Sequence, residues 1–288
     1  MRSPNVHVLG GLDRRLVAPG PAARFETVRT GLAVVLGIRL ALRHWSAAAA
    51  IPDPLFRRAF AVAWLPSVPP GWLLNVVAVA GVVGAMAVVA RMSPRIGFVV
   101  AWLALLFVAG VWGSAGKIMH NDVLLLLTAV PFVVAKGGTA NTRDGADRSV
   151  ADGWPPRAAL MIIAAVYFIA GVQKLHHSGL DWISGDNMAW VLRQGAAGAA
   201  SPFPGLARSI ANAPPLPFLI VVGSIVFELA APLMLWWRRG RIPFAVGAAC
   251  LHGAIWLTIG LDYYGWILTV AAVAVPLGRP IQHLEGAT

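Results

Sequence analysis

Ala158-Ala-Leu-Met-Ile-Ile-Ala-Ala-Val-Tyr-Phe-Ile-Ala-Gly-Val-Gln-Lys174 is an apolar run that carries no charge until its last residue. A bilayer's hydrocarbon core is about 30 Å thick and takes about 20 helical residues to cross, so a run of this kind reads as a membrane-spanning helix. Seven others resemble it in composition: about Val28–Trp45, Trp72–Ala90, Ile96–Val111, Val123–Ala135, Leu216–Trp237, Pro243–Ile259 and Asp262–Pro276. The expected fold class is therefore all-α, a polytopic integral membrane protein of about eight transmembrane helices. Its expected organisation is a basic tail over residues 1–27, a single transmembrane domain over 28–276 and a second tail over 277–288.

Composition agrees. With 58% hydrophobic residues, 12% charged residues and a mean hydropathy of +0.72, the chain is too apolar for a soluble globular domain. The net charge of +11 does not imply nucleic acid, because basic residues on a polytopic protein gather in short loops and report orientation. In the eight-helix scheme fifteen basic residues fall on one side and six on the other. The richer side is cytoplasmic by the positive-inside rule, which places both termini there and the protein in the cell membrane. The lone cysteine, Cys250, excludes an intramolecular disulfide and a Cys-x-x-Cys redox pair. No metal-ligand set, phosphate-binding glycine loop or nucleophile elbow is visible.

The polar residues inside or beside the apolar runs carry the functional question. Lys174 sits where its helix should leave the hydrocarbon, and two readings are open. An ordinary boundary lysine snorkels to the headgroups, whereas a base needs partial desolvation, which disfavours the ammonium form. Arg29 and Arg43 are expected to snorkel from the ends of the first run; Arg39 fits either an end or the bundle interior. Glu228 at bilayer depth needs a partner or a proton, with Arg39, Lys117 or His252 as the candidates. His252 either bonds a backbone carbonyl or serves a site, while Asp122 and Asp262 read as interfacial caps. Lys136 to Arg157 reads as a solvated loop, and the Trp-containing stretch after Leu175 as amphipathic pieces forming an outer-face interfacial lid.

The string Tyr167-Phe-Ile-Ala-Gly-Val-Gln-Lys-Leu175, followed by Asp181-Trp-Ile-Ser-Gly-Asp-Asn-Met188, resembles the active-site segment of the vitamin K-dependent gamma-glutamyl carboxylases. These belong to a wider membrane group, the HTTM (horizontally transferred transmembrane) domains. Lys174 falls on the second lysine of the family's Lys-Lys-Leu triplet, Gln173 replaces the first, and two extra residues precede Asp181-Trp182. Met119-His-Asn-Asp122 resembles a second family segment, and His252 with Ile259-Gly260 and Leu261-Asp-Tyr-Tyr264 a third. The resemblance covers about Val28 to Pro276 and does not include a propeptide-docking domain.

What the resemblance implies is specific. Lys174 would take a proton from a reduced naphthoquinone, whose reaction with O2 yields a strong alkoxide base. That base removes the gamma proton of a glutamate, and the carbanion captures CO2. Lys174, His120 and His252 would be catalytic; Lys117, Asn121, Trp182 and Glu228 are the candidate cofactor-binding residues, with no metal. The implied partners are the lipid bilayer, the quinone and a protein or peptide glutamate substrate on the outer face, with no nucleic acid. The competing reading is a non-catalytic quinone- or lipid-binding protein or scaffold. Transport is weaker, although Glu228 and His252 could serve a proton path.

Overall fold

Each of the eight apolar runs forms a helix, the arrangement hydrocarbon demands because a helix satisfies its backbone polar groups within its own segment. The computed structural model describes residues 17–56, 60–114, 120–137, 148–198 and 200–279. It divides into two compact units, residues 1–159 and 160–288. The first holds α1 (Ala22–Leu42), α2 (Gly71–Val89), α3 (Pro94–Gly113), α4 (Val123–Val134) and the start of α5 (Val150–Ser178). The second holds the rest of α5, then α6 (Gly185–Ala197), α7 (Pro204–Ala211), α8 (Leu216–Trp236), α9 (Arg241–Ile259) and α10 (Tyr264–Gly278). Two-residue strands β1 (Gly20–Pro21) and β2 (Arg148–Ser149) pair antiparallel in the first unit.

Among the described residues five helices are long and apolar enough to cross a membrane: α2, α3, α5 with the turn that follows it, α8, and α9 with the turn that precedes it. Helices α4 and α10 are apolar but shorter. The chain is thus an all-α membrane protein, and its surface agrees. On α2, Trp72, Val76, Val79, Val83 and Met86 form an exposed stripe at helical spacing, while Leu74, Ala78, Gly81, Ala85 and Val88 form the buried one. An exposed apolar stripe of this extent would be costly in water and is ordinary in lipid.

Helices α2 and α3 meet backbone to backbone. A Cβ on Gly84 would lie 2.7 Å from the carbonyl oxygen of Gly97, and one on Gly97 2.5 Å from that of Gly84. Small residues give membrane helices their packing enthalpy by permitting this approach.

The charges of α1 depart from expectation. Arg29 does not snorkel: it is buried, bonds Glu26 at 2.6 and 2.7 Å and lies over the Phe25 ring. Arg39 is fully buried and donates from Nε to Asp122 Oδ1 at 2.7 Å. Arg43 stacks its guanidinium on Trp112 and Trp45, with centroids at 4.3 and 5.1 Å, and lies 3.5 Å from Asp122. Asp122 is therefore not an interfacial cap: it stands at the start of α4 but makes no side-chain cap bond there, because its carboxylate neutralises Arg39. Desolvation decides this, since an arginine inside an apolar bundle requires a carboxylate within reach.

Helix α5 begins well before Ala158, inside the stretch expected to be a loop. Ser149 Oγ accepts the N–H of Asp152 at 3.0 Å and donates to its carboxylate at 2.5 Å, so the Ser149 side chain caps the first turn of α5. Arg157 then donates to the Ala18 carbonyl, tying the helix to the segment before α1. Residues 138–147 of that stretch lie outside the described residues.

Candidate functional site

The site is built on one face of α5. Tyr167, Gly171 and Lys174 are spaced by four and three residues, so they stack along a single side over two turns. Gly171 sets the depth: a Cβ there would lie 3.1 Å from Cβ of Glu228, so its hydrogen lets α8 close in. One turn on, Lys174 Nζ meets Glu228 Oε1 at 2.5 Å. The two ends of this ion pair differ in access, with side chains 28% exposed for Lys174 and 9% for Glu228. Glu228 Oε2 is buried and has no hydrogen-bond partner.

Glu228 therefore takes Lys174, a partner outside its three expected candidates. Arg39 is engaged by Asp122 in the first unit, Lys117 lies outside the described residues, and His252 is occupied elsewhere. Its Nε2 lies 2.8 Å from the Tyr167 hydroxyl, which replaces the expected backbone carbonyl, and its Nδ1 is buried without a partner.

Aromatic rings wall this couple. Tyr167 is 1% exposed and stands edge-on to Phe244, Trp266 and Phe227 at centroid distances of 5.1, 5.5 and 5.9 Å. His252 contacts Tyr263 and Trp266 at 5.2 and 5.3 Å. Edge-to-face contacts of this kind fix ring orientation as well as burying area. Asp262 lies one residue before the N-cap of α10, Tyr263, which makes no side-chain cap bond; its carboxylate instead accepts the Tyr264 N–H at 3.4 Å.

The structure brings together Lys174 with Glu228, and His252 with Tyr167, within the second unit. Trp182 is half-buried in the short turn after α5. The amphipathic stretch forms α6 and α7, whose Ala189, Leu192 and Ala196 pack on Ala207 and Ala211. Asn121 is buried in the turn before α4, in the first unit, and His120 shares that turn. Tyr167 was not singled out from sequence, although a hydroxyl four residues from Gly171 on the helix face that carries Lys174 was the available signal. Among the described residues no three His, Cys, Asp or Glu side chains gather as a metal site requires.

These features define an all-α membrane protein whose second unit holds a half-buried lysine–carboxylate pair and a buried tyrosine–histidine couple. Comparison with protein-family models, curated proteins and solved structures gives no match.

Proposed function

We propose that this chain is a carboxylase-like membrane enzyme of about eight crossings, in which Lys174 accepts a proton from a reduced naphthoquinone at the outer face, with O2 and CO2 as co-substrates. The observation that carries the reading is the Lys174–Glu228 pair: one end partly open, the other buried, with Nζ 2.5 Å from Oε1, close enough for the ammonium to pass one of its protons to the carboxylate. Movement of that proton from Nζ to Oε1 leaves Lys174 as a free amine with a lone pair, the form a base needs. Glu228 Oε2, buried and unbonded, suits a hydroxyl donor, and the rings around His252 suit a flat aromatic molecule. Both features support a hydroquinone as the bound group.

When bound, the reduced quinone supplies the two-electron, O2-dependent chemistry that drives proton removal from a glutamate. The chain's own part is to hold the hydroxyl against Lys174, orient His252 through Tyr167 and keep water away from the reacting groups. Helices α6 and α7 serve as the interfacial lid of the site.

One observation favours a second reading. A lysine already bonded to a carboxylate is also how a structural ion pair looks, which suits a non-catalytic quinone- or lipid-binding protein. Oxygen-dependent epoxidation of a reduced naphthoquinone, measured on wild type and Lys174→Ala in nanodiscs, separates the two. Epoxide from wild type alone supports the base; quinone binding without epoxide in either protein leaves the binding role.

A further inference from the structure

Helices α1 and α2 run antiparallel, with Leu40 against Gly81 and Gly37 against Ala85. Between them lies a groove of about 520 Å³, within the range of small-molecule pockets. Its walls are carbon except for one thioether: Gly37, Ala41 and Ala85 line it, with Leu42, Met86 and Val89 exposed along it. Gly37 leaves the trough open where a side chain would fill it. The last lining residue is Ala90, and the chain then turns through Arg91-Met-Ser-Pro-Arg95. Both arginines are exposed. Arg91 is fixed directly beyond the groove by a closed turn, its N–H bonded to the Val88 carbonyl and that of Met92 to the Ala87 carbonyl, both at 3.1 Å.

An apolar trough whose last lining residue is followed directly by exposed Arg91, with Arg95 exposed in the same turn, matches an amphiphile with an acyl tail and an anionic head. We propose that the groove retains one acyl chain of an anionic phospholipid, with the headgroup phosphate against Arg91 and Arg95. A bare alkyl ligand would draw nothing from the charge beyond the groove, and a neighbouring helix would set a side chain or a helix end, rather than a phosphate, beside the cations. Juxtamembrane basic clusters select anionic lipid by this electrostatic preference.

The test is native mass spectrometry of the full chain extracted from vesicles holding equal phosphatidylglycerol and phosphatidylcholine. Wild type is expected to retain phosphatidylglycerol about thirtyfold over phosphatidylcholine, the preference that two interfacial arginines supply. Arg91→Gln with Arg95→Gln should keep a lipid adduct but lose the preference. Ala41→Trp, which fills the trough from an exposed position, should lose the adduct; Val89→Trp tests the opposite wall if that variant folds poorly. Equal retention of both lipids by wild type, an adduct that survives both tryptophan variants, or a protein dimer in place of a lipid adduct would overturn the proposal.

Discussion

At the scale of single residues, the two ends of the Lys174–Glu228 pair are unequal, and so are the consequences of removing them. Lys174→Ala leaves a carboxylate that is only 9% exposed, whereas Glu228→Ala leaves an ammonium on a long stem already 28% exposed. Thermal unfolding in detergent should therefore show Lys174→Ala to be the more destabilising variant, with the double variant recovering about 2 kcal/mol of the summed loss; that value is discounted for Lys174's access to the surface. Additive single losses would show that the pair does not couple. Tyr167→Phe keeps the ring contacts and removes only the hydroxyl, leaving both His252 ring nitrogens unpaired in a buried site, for a cost of about 1–2 kcal/mol by the same melts. Both charges were legible in the sequence as functional candidates, but their pairing was not. They are separated by 54 residues, and what joins them is the missing side chain of Gly171, a contact written in shape rather than in charge. Arg91 carries a cost that sequence hides altogether: at φ 56° it occupies the left-handed position beyond α2 that favours glycine. Arg91→Gly should raise stability by about 1 kcal/mol, and an unchanged melting temperature would mean the turn is not strained.

At the scale of elements, packing of glycine on backbone sets the strongest constraint. Gly84 and Gly97 face each other's carbonyl oxygens, which cannot swing aside as a side-chain tip would. Gly84→Leu should therefore push α2 from α3 and cost about 3 kcal/mol or more, read as a lower melting temperature and reduced extraction yield, while Val83→Leu on the exposed stripe should cost little. The helices themselves were legible because hydrophobic runs of this length have one stable form in lipid. Their starts were less so. Helix α5 starts earlier than its apolar run suggests: Pro155 and Pro156 fall within its first two turns, and the Ser149 side chain caps its start. Asp122 was misread for a related reason. At the start of a helix a carboxylate suits the macrodipole, and only the buried Arg39 from another helix gives it a stronger partner. Arg39→Leu would test that ordering of forces: Asp122 left buried and half-compensated by Arg43 alone should lower stability by about 3 kcal/mol.

At the scale of the whole molecule, the asymmetry of basic residues makes a topological statement that labelling checks. If α5 crosses the bilayer, the chain before it and the chain between α5 and α8 lie on opposite sides, and the positive-inside rule puts the former in the cytoplasm. Ala151, exposed at the start of α5, and Ser209, exposed on α7, report the two sides. With Cys250 replaced by serine, Ser209→Cys in intact cells should react with a membrane-impermeant maleimide, and Ala151→Cys only after permeabilisation. The choice of these positions keeps fold and orientation separable: neither side chain is buried, and neither belongs to the Lys174 or His252 contacts. Reversed labelling would turn the molecule over and carry Lys174, at the far end of α5 from Ala151, to the cytoplasmic face, where an outer-face substrate could not reach it. Labelling of both positions from the same side would mean that α5 does not cross, and the eight-crossing arrangement would fall with it. The expected pattern places the partly open end of the Lys174–Glu228 pair at the outer boundary, which is where the proposed function requires it: a quinol dissolved in the bilayer and a glutamate outside it would have to meet at that lysine.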